Sequence, residues 1–129
     1  MALYEQEIRG ALRFMPWVPI LFISALTGQR VNRILPLALR IDEERRVRLS
    51  TSELNALIRE AVARRSPPTR SGKKLHIYYG TQASVAPPTF IFFVNDKRLI
   101  HFGYERYLEN QIRERYPYEG TPIRLIFRD

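Results

Sequence analysis

The chain has no cysteine, which excludes disulfides, thiolate zinc sites and a cysteine nucleophile. Histidine is nearly as scarce. His76 and His101 are the only two, and no carboxylates stand at a spacing that would complete a metal site around them. The six glycines, Gly10, Gly28, Gly72, Gly80, Gly103 and Gly120, are scattered. No Gly-x-x-x-x-Gly-Lys-Ser/Thr loop can be drawn through them, so the chain lacks the backbone cradle that holds nucleotide phosphates. Gly72-Lys73-Lys74 has no upstream glycine and follows no predicted strand. Long apolar runs are also missing. The longest, residues 17–26, is interrupted by Pro19 and is too short to span a bilayer. The N-terminus shows no basic segment leading into an apolar one. A cytoplasmic protein without a membrane partner is the expectation.

What is present is positive charge on an ordinary globular composition. Of 129 residues 45% are hydrophobic, too many for a disordered tail. The net charge is +8 and the pI about 10.3, a balance that suits a polyanionic partner: RNA, DNA and anionic membrane all qualify. Lysine is rare, three residues against 18 arginines. Arginine suits bidentate phosphate contact, although a GC-rich genome produces the same bias.

Hydrophobic periodicity divides the chain. Leu3, Ile8, Leu12 and Met15 predict an amphipathic helix over residues 3–15, ended by Pro16 and Pro19. Residues 18–23, Val-Pro-Ile-Leu-Phe-Ile, form a short continuous apolar run, the pattern of a strand buried on both faces. Helical period returns over residues 29–45, with Pro36 predicting a kink or a late start. Residues 42–48 are almost all charged and mark a domain boundary. Ser50 to Glu53 reads as a capping box, with Thr51 competing as the cap. Leu54, Leu57, Ile58, Ala61 and Val62 then define a helical stripe that stops before Pro67-Pro68. Residues 74–82 and 89–95 predict an antiparallel strand pair, because the connection is short. Alternation places Leu75, Ile77 and Tyr79 on one face of the first strand, and Phe90, Phe92 and Val94 on one face of the second. A helix with Tyr104, Tyr107, Leu108, Gln111, Ile112 and Arg115 on one side follows, then a turn at Gly120-Thr121-Pro122. A last strand carries Ile123, Leu125 and Phe127. The fold class is α+β, a compact α-β-β-α-β unit with a three-stranded sheet and two helices on one face, preceded by an α-β-α segment.

In that order, Thr51-Ser52-Glu53-Leu54-Asn55, Tyr79-Gly80-Thr81-Gln82, Pro87-Pro88-Thr89-Phe90-Ile91-Phe92-Phe93-Val94-Asn95, Tyr104-Glu105-Arg106-Tyr107-Leu108-Glu109-Asn110 and Gly120-Thr121-Pro122-Ile123-Arg124 resemble the C-terminal KH-like domain of the Der (EngA) family. These are bacterial proteins with two tandem GTPase domains followed by a KH-like domain, which act in assembly of the large ribosomal subunit. The segment Pro19-Ile20-Leu21-Phe22-Ile23-Ser24-Ala25-Leu26-Thr27-Gly28 is similar to the end of the second GTPase domain, with Ser24 and Ala25 at its last guanine-recognition motif. The resemblance implies residues 1–45 as the remnant of that GTPase domain and residues 46–129 as the KH-like domain. It also implies GTP and Mg as cofactors of the parent protein, none for this chain, and ribosomal RNA or the large-subunit (50S) particle and the parent's own GTPase domains as partners of a monomer. The chain departs from the KH pattern in lacking the Gly-x-x-Gly loop that clamps a nucleic-acid backbone. Residues 95–102 stand in its place, and Gly103 sits at the expected cap of the next helix, where the family often has serine.

Charge is densest over residues 59–74, where Arg59, Arg64, Arg65, Arg70, Lys73 and Lys74 oppose only Glu60. Arg64, Arg65, Arg70, Lys73 and Lys74, with Lys97, Arg98, His76 and Tyr78, are the candidate RNA contacts; a solvated helix end and a flexible linker is the plainer reading. Tyr78, Tyr79, Phe90, Phe92 and Phe93 could stack bases, as in other sheet-based RNA binders; helices covering one sheet face also need aromatic packing, and the Leu75, Ile77 and Tyr79 face is assigned to the core. Ser24 and Ala25 are candidate guanine contacts only within a complete nucleotide site. Three roles remain: an RNA-binding module, an intramolecular docking domain that controls the GTPase domains without touching RNA, or a contributor to a GTPase site in the longer protein. Because the phosphate loop is missing, the chain mixed with GTP and Mg²⁺ is expected to show neither turnover nor tight nucleotide binding; phosphate release above background would overturn this reading.

Overall fold

A computed structural model describes residues 2–129. Its elements in chain order are α1 (Ala2–Ala11), a 3₁₀ turn (Val31–Arg33), α2 (Ile34–Glu44), α3 (Thr51–Arg64), β1 (Thr69–Arg70), β2 (Lys73–Lys74), β3 (Ile77–Ser84), β4 (Thr89–Val94), a 3₁₀ turn (Lys97–Leu99), α4 (Phe102–Arg115) and β5 (Arg124–Arg128). The expected α-β-β-α-β unit is α3-β3-β4-α4-β5. Its sheet has the order β3-β4-β5, with β3 and β4 antiparallel and β4 and β5 parallel.

The central strand explains the core. Phe90 and Phe92 are fully buried and Val94 nearly so, and they meet Leu54, Leu57, Ile58 and Ala61 of α3 and Tyr104, Leu108 and Ile112 of α4. Both helices therefore bury the apolar stripe that their spacing announced. Two tyrosines lock them together: the Tyr107 hydroxyl donates to Ala61 O at 2.6 Å and that of Tyr104 to Arg65 O at 2.8 Å. Burial pushes the Tyr104 hydroxyl up to about 12. Ser50 is the cap of α3, accepting from the Glu53 N–H at 3.2 Å. The Glu53 carboxylate accepts instead from the Tyr116 hydroxyl at 2.6 Å.

Gly80 pairs with Phe92 across β3 and β4. A Cβ at Gly80 would lie 2.5 Å from Phe92 Cδ1 and 2.7 Å from Cε1, and the Phe92 ring is fully buried. On the outer edge of β3, Asn55 of α3 takes both main-chain groups of Gly80: its Oδ1 accepts from the N–H at 2.8 Å and its Nδ2 donates to the carbonyl at 3.0 Å. One asparagine thus closes part of a sheet edge and sets the height of α3 along β3.

Several expectations need correction. Residues 18–23 have no regular secondary structure and form no strand among the described residues. A segment becomes a strand only beside another, and the Val18 carbonyl is taken by the Arg9 guanidinium at 2.7 Å instead. The helix expected over 3–15 ends at Ala11. Tyr79 is not a core residue: it is 51% exposed. The register slips between Ile77, opposite Val94, and Tyr79, opposite Phe93. Tyr78 is the extra residue of a β-bulge, and one extra residue moves everything beyond it to the other face. The flexible basic linker is instead the β1–β2 ribbon. The cap of α4 is His101, whose Nδ1 accepts from the Gly103 N–H at 3.0 Å, so Gly103 lies inside the first turn. Pro36, in contrast, behaves as predicted. It occupies the first turn of α2, where its missing N–H is not needed.

The N-terminal segment rests on the sheet unit through few contacts. The Gly120 N–H donates to Trp17 O at 2.8 Å, Arg113 lies 4.9 Å from the Trp17 ring centroid, and Arg40 pairs with Glu119 at 3.1 Å. Leu3, Tyr4, Phe14, Leu26 and Leu35 are largely exposed. Amides of residues 2–28 should therefore exchange hydrogen faster than those of residues 50–127, unless the chain self-associates; equal protection in a monomer would contradict this. Gly80→Ala should cost about 1–3 kcal/mol in denaturant unfolding by overpacking Phe92. Gly10→Ala, an exposed helical position with nothing within 4 Å of the added atom, should be neutral or stabilising.

Candidate nucleic-acid interface

The basic ribbon is built from local turn chemistry. Thr69 pairs with Lys74 and Arg70 with Lys73, leaving Ser71 and Gly72 as the two-residue tip. Both have positive φ, 53° and 75°, the conformation that two-residue hairpins require. Ser-Gly between polar residues was a signal in the sequence for this turn.

Asn95 fastens the ribbon to the sheet. Its Oδ1 accepts from the His76 N–H at 2.9 Å, its Nδ2 donates to Lys74 O at 3.0 Å, and its own N–H donates to His76 O at 3.1 Å. A second tie runs from Arg70 Nη1 to Arg98 O at 3.1 Å. These bonds bring the ribbon against the 3₁₀ turn Lys97–Leu99. A hollow of about 310 Å³ lies between them, lined by Arg70, Ser71, Lys73, Asp96, Arg98 and Leu99.

Three cations surround this hollow and one carboxylate offsets them. Arg98 forks onto Asp96, Nε to Oδ1 at 3.1 Å and Nη2 to Oδ2 at 3.0 Å. The Arg98 side-chain and main-chain bonds hold the Asp96 carboxyl below the usual carboxylate range. Asp96 also caps the turn by accepting from the Arg98 N–H at 3.0 Å. It therefore positions Arg98 while leaving net positive charge. The sequence reading had no role for Asp96, Ser71 or Gly72.

The other candidates divide. Lys97 shares the turn with Arg98, and its N–H donates to Asp129 at 3.0 Å. Lys74 and His76, with Arg59, line a second hollow of about 310 Å³ along α3 and β3, floored by Ile58, Val62, Ala63, Pro67, Leu75 and Ile77. Tyr78 is exposed on the bulge. Arg64 and Arg65 turn to α4 instead: Arg64 Nη1 donates to Gln111 at 3.2 Å and lies 3.9 Å from Glu114, and the Arg65 guanidinium lies 5.2 Å from the Tyr107 ring centroid. Arg113 is no surface charge either. Its guanidinium bonds Pro117 O, Tyr118 O, Thr121 O and Glu109, and burial lowers its pKa.

Ser24 and Ala25 form a turn, with the Thr27 N–H donating to Ser24 Oγ at 3.2 Å and the Gly28 N–H to Ser24 O at 2.8 Å. The sequence holds no phosphate loop. Among the described residues no group of three or more acidic or histidine side chains could hold a metal ion, and no helix is long and apolar enough to cross a membrane.

Comparison with known proteins agrees with this architecture. Residues 48–128 match the family described as KH-domain-like of EngA bacterial GTPase enzymes, C-terminal. The chain is 55% identical over 126 residues to GTPase Der of Thermomicrobium roseum, covering 98% of this chain and 27% of that protein. It is 51% identical over 126 residues to GTPase Der of Alkaliphilus metalliredigens, covering 98% and 29%, and 52% identical over 128 residues to that of Symbiobacterium thermophilum, covering 99% and 27%. The chain thus spans less than a third of the length of these relatives, and the matched stretch takes in its N-terminal residues as well as the α-β-β-α-β unit. The sheet order, the two helices on one face and the family match agree: this chain belongs to the KH-domain-like C-terminal family of the EngA bacterial GTPases.

Proposed function

We propose that the chain is an RNA-binding module of a ribosome-assembly GTPase, and that the β1–β2 ribbon with the adjoining 3₁₀ turn contacts phosphates of large-subunit ribosomal RNA. The observation that carries this reading is the hollow in which Arg70, Lys73 and Arg98, 28 residues apart at the extremes, converge around a single carboxylate. Lys74 and Lys97 extend the same positive surface. Residues 1–45 are read as the end of a GTPase domain and residues 46–129 as the module itself. GTP binding and hydrolysis, with Mg, belong on this reading to the longer protein, which works in the cytoplasm.

A second reading has its own support. Leu3, Leu26, Leu35 and Leu39 are exposed, and so much apolar surface favours further protein packed over the first forty residues. The module then also docks on the GTPase domains of its own chain, so that nucleotide state alters access to RNA. Docking without any RNA contact is the alternative to the main proposal.

Each phosphate neutralised contributes about −0.7 to −0.9 to the slope of log K against log salt. Replacing Arg70, Lys73 and Lys74 together with alanine should weaken binding to ribosomal RNA and reduce that slope by roughly 2–3. Folding should change by less than about 0.5 kcal/mol for each exposed site. Arg13, Arg106 and Arg115, exposed and outside the ribbon and the 3₁₀ turn, are the charge-matched control. Equal weakening by both triples would reduce the effect to net charge; no effect from either would leave the docking role.

A further inference from the structure

The bulge at Tyr78 has a consequence on the side of the sheet that α3 and α4 do not cover. Residues paired across neighbouring strands share a face. Tyr79 pairs with Phe93 and Phe93 with Arg128; Thr81 pairs with Ile91 and Ile91 with Ile126; Thr89 pairs with Arg124. This face therefore carries two aromatic rings, two isoleucines and two arginines, and no acidic residue. The Tyr79 and Phe93 rings stack at a centroid distance of 4.7 Å and an interplanar angle of 21°. Tyr79 remains 51% exposed, and Ile91, Phe93 and Ile126 are only partly buried. Arg124 and Arg128 are exposed and form no ion pair among the described residues. The nearby carboxylate in sequence, Asp129, is directed to the Lys97 N–H.

We propose that this open sheet face is a second RNA-contacting surface, on which unstacked bases of single-stranded RNA lie against Tyr79 while Arg124 and Arg128 meet the phosphates beside them. A ring already stacked on one side presents its other side at a fixed angle, so little side-chain entropy is lost when a base is added. An apolar strip bordered by unpaired guanidinium groups matches a ligand that alternates flat π-surfaces with anions, and single-stranded nucleic acid is that ligand. Base stacking on an aromatic side chain also tolerates any sequence. The inference rests on the RNA-binding reading above, but on different residues. The ribbon reads charge alone, whereas this face distinguishes exposed bases from a bare backbone or a closed duplex.

The test uses the whole chain, with a short oligouridine, an abasic oligomer of the same length and an RNA duplex as probes. The wild type should bind oligouridine about five-fold or more tightly than the abasic oligomer, the lower end of one stacked base. Tyr79→Ala should abolish that preference without changing the salt slope, since no phosphate contact is lost. Tyr79→Phe should retain it, and duplex binding should be the same in all three proteins. Arg124→Ala with Arg128→Ala should weaken both oligomers and reduce the slope. Tyr79→Ala binding oligouridine like the wild type, while the ribbon triple variant loses affinity, would overturn this inference and leave the ribbon intact; the face would then be free to cover protein. No binding of any probe by the wild type would refute the RNA-binding reading itself, and this inference with it. Circular dichroism of each variant, matched to the wild type, excludes loss of fold as the cause.

Discussion

Phe92 lies across Gly80 at a distance that leaves no room for a side chain, and much of the domain follows from that contact. The ring is fully buried, so the strand that meets it must present a bare backbone there. The pairing of Gly80 with Phe92 fixes the register of β3 on β4. With register fixed, the extra residue at Tyr78 must be absorbed as a bulge, and the bulge sends Tyr79 outward to stack on Phe93. The same glycine gives its main-chain N–H and carbonyl to Asn55, which ties α3 to the edge of the sheet. One missing side chain thus sets the core, the seat of a helix and the composition of the open face.

Buried polar groups join the parts that apolar packing leaves loose. Gln82 Oε1 accepts from the Leu49 N–H at 2.7 Å and its Nε2 donates to Val47 O and Ser84 O, so a single amide holds the chain entering α3 as a neighbouring strand would. Tyr118, fully buried with φ at 47°, packs edge-on to Phe90 and donates to Val47 O at 3.0 Å; its burial pushes the hydroxyl up to about 12. Arg113 gathers three carbonyls of the loop between α4 and β5. Among the described residues no buried side-chain nitrogen or oxygen lacks a partner. A lost partner would leave its mate buried and unsatisfied, which costs more than the bond itself contributes.

This bonding also sorts the positive charge. Arginines that close internal contacts, such as Arg113, and those matched with acids on neighbouring helices, such as Arg64 and Arg115, add little to the field beyond the surface. Arg98 is likewise matched with Asp96, whereas the ribbon, Lys97 and the outer face of β5 retain their charge. Net charge alone makes every arginine equal; the tertiary contacts separate those that hold the fold from those open to a polyanion.

Local pattern determined much of this protein without help. The stripe from Leu54 to Val62 specified α3 and its buried side, the capping signal at Ser50 and Thr51 placed its start to within a residue, and alternation on β4 separated Phe90, Phe92 and Val94 from Ile91 and Phe93. In each case the information lies within one helical turn or one pleat, so a window of a few residues contains it. Tertiary structure decided the rest, where the cause lies far along the chain. Residues 18–23 were strand-like in composition, but a strand is a property of a pair, and no partner lies beside them among the described residues. Tyr79 read as a core residue because a two-residue period assumes no bulge, and the bulge is imposed from β4. The ribbon was too short for any periodicity and is held by Asn95, some twenty residues further on. Likewise the cations of the candidate site were visible one by one, whereas the meeting of Arg70 and Lys73 with Arg98 exists only because the sheet brings β2 beside the end of β4.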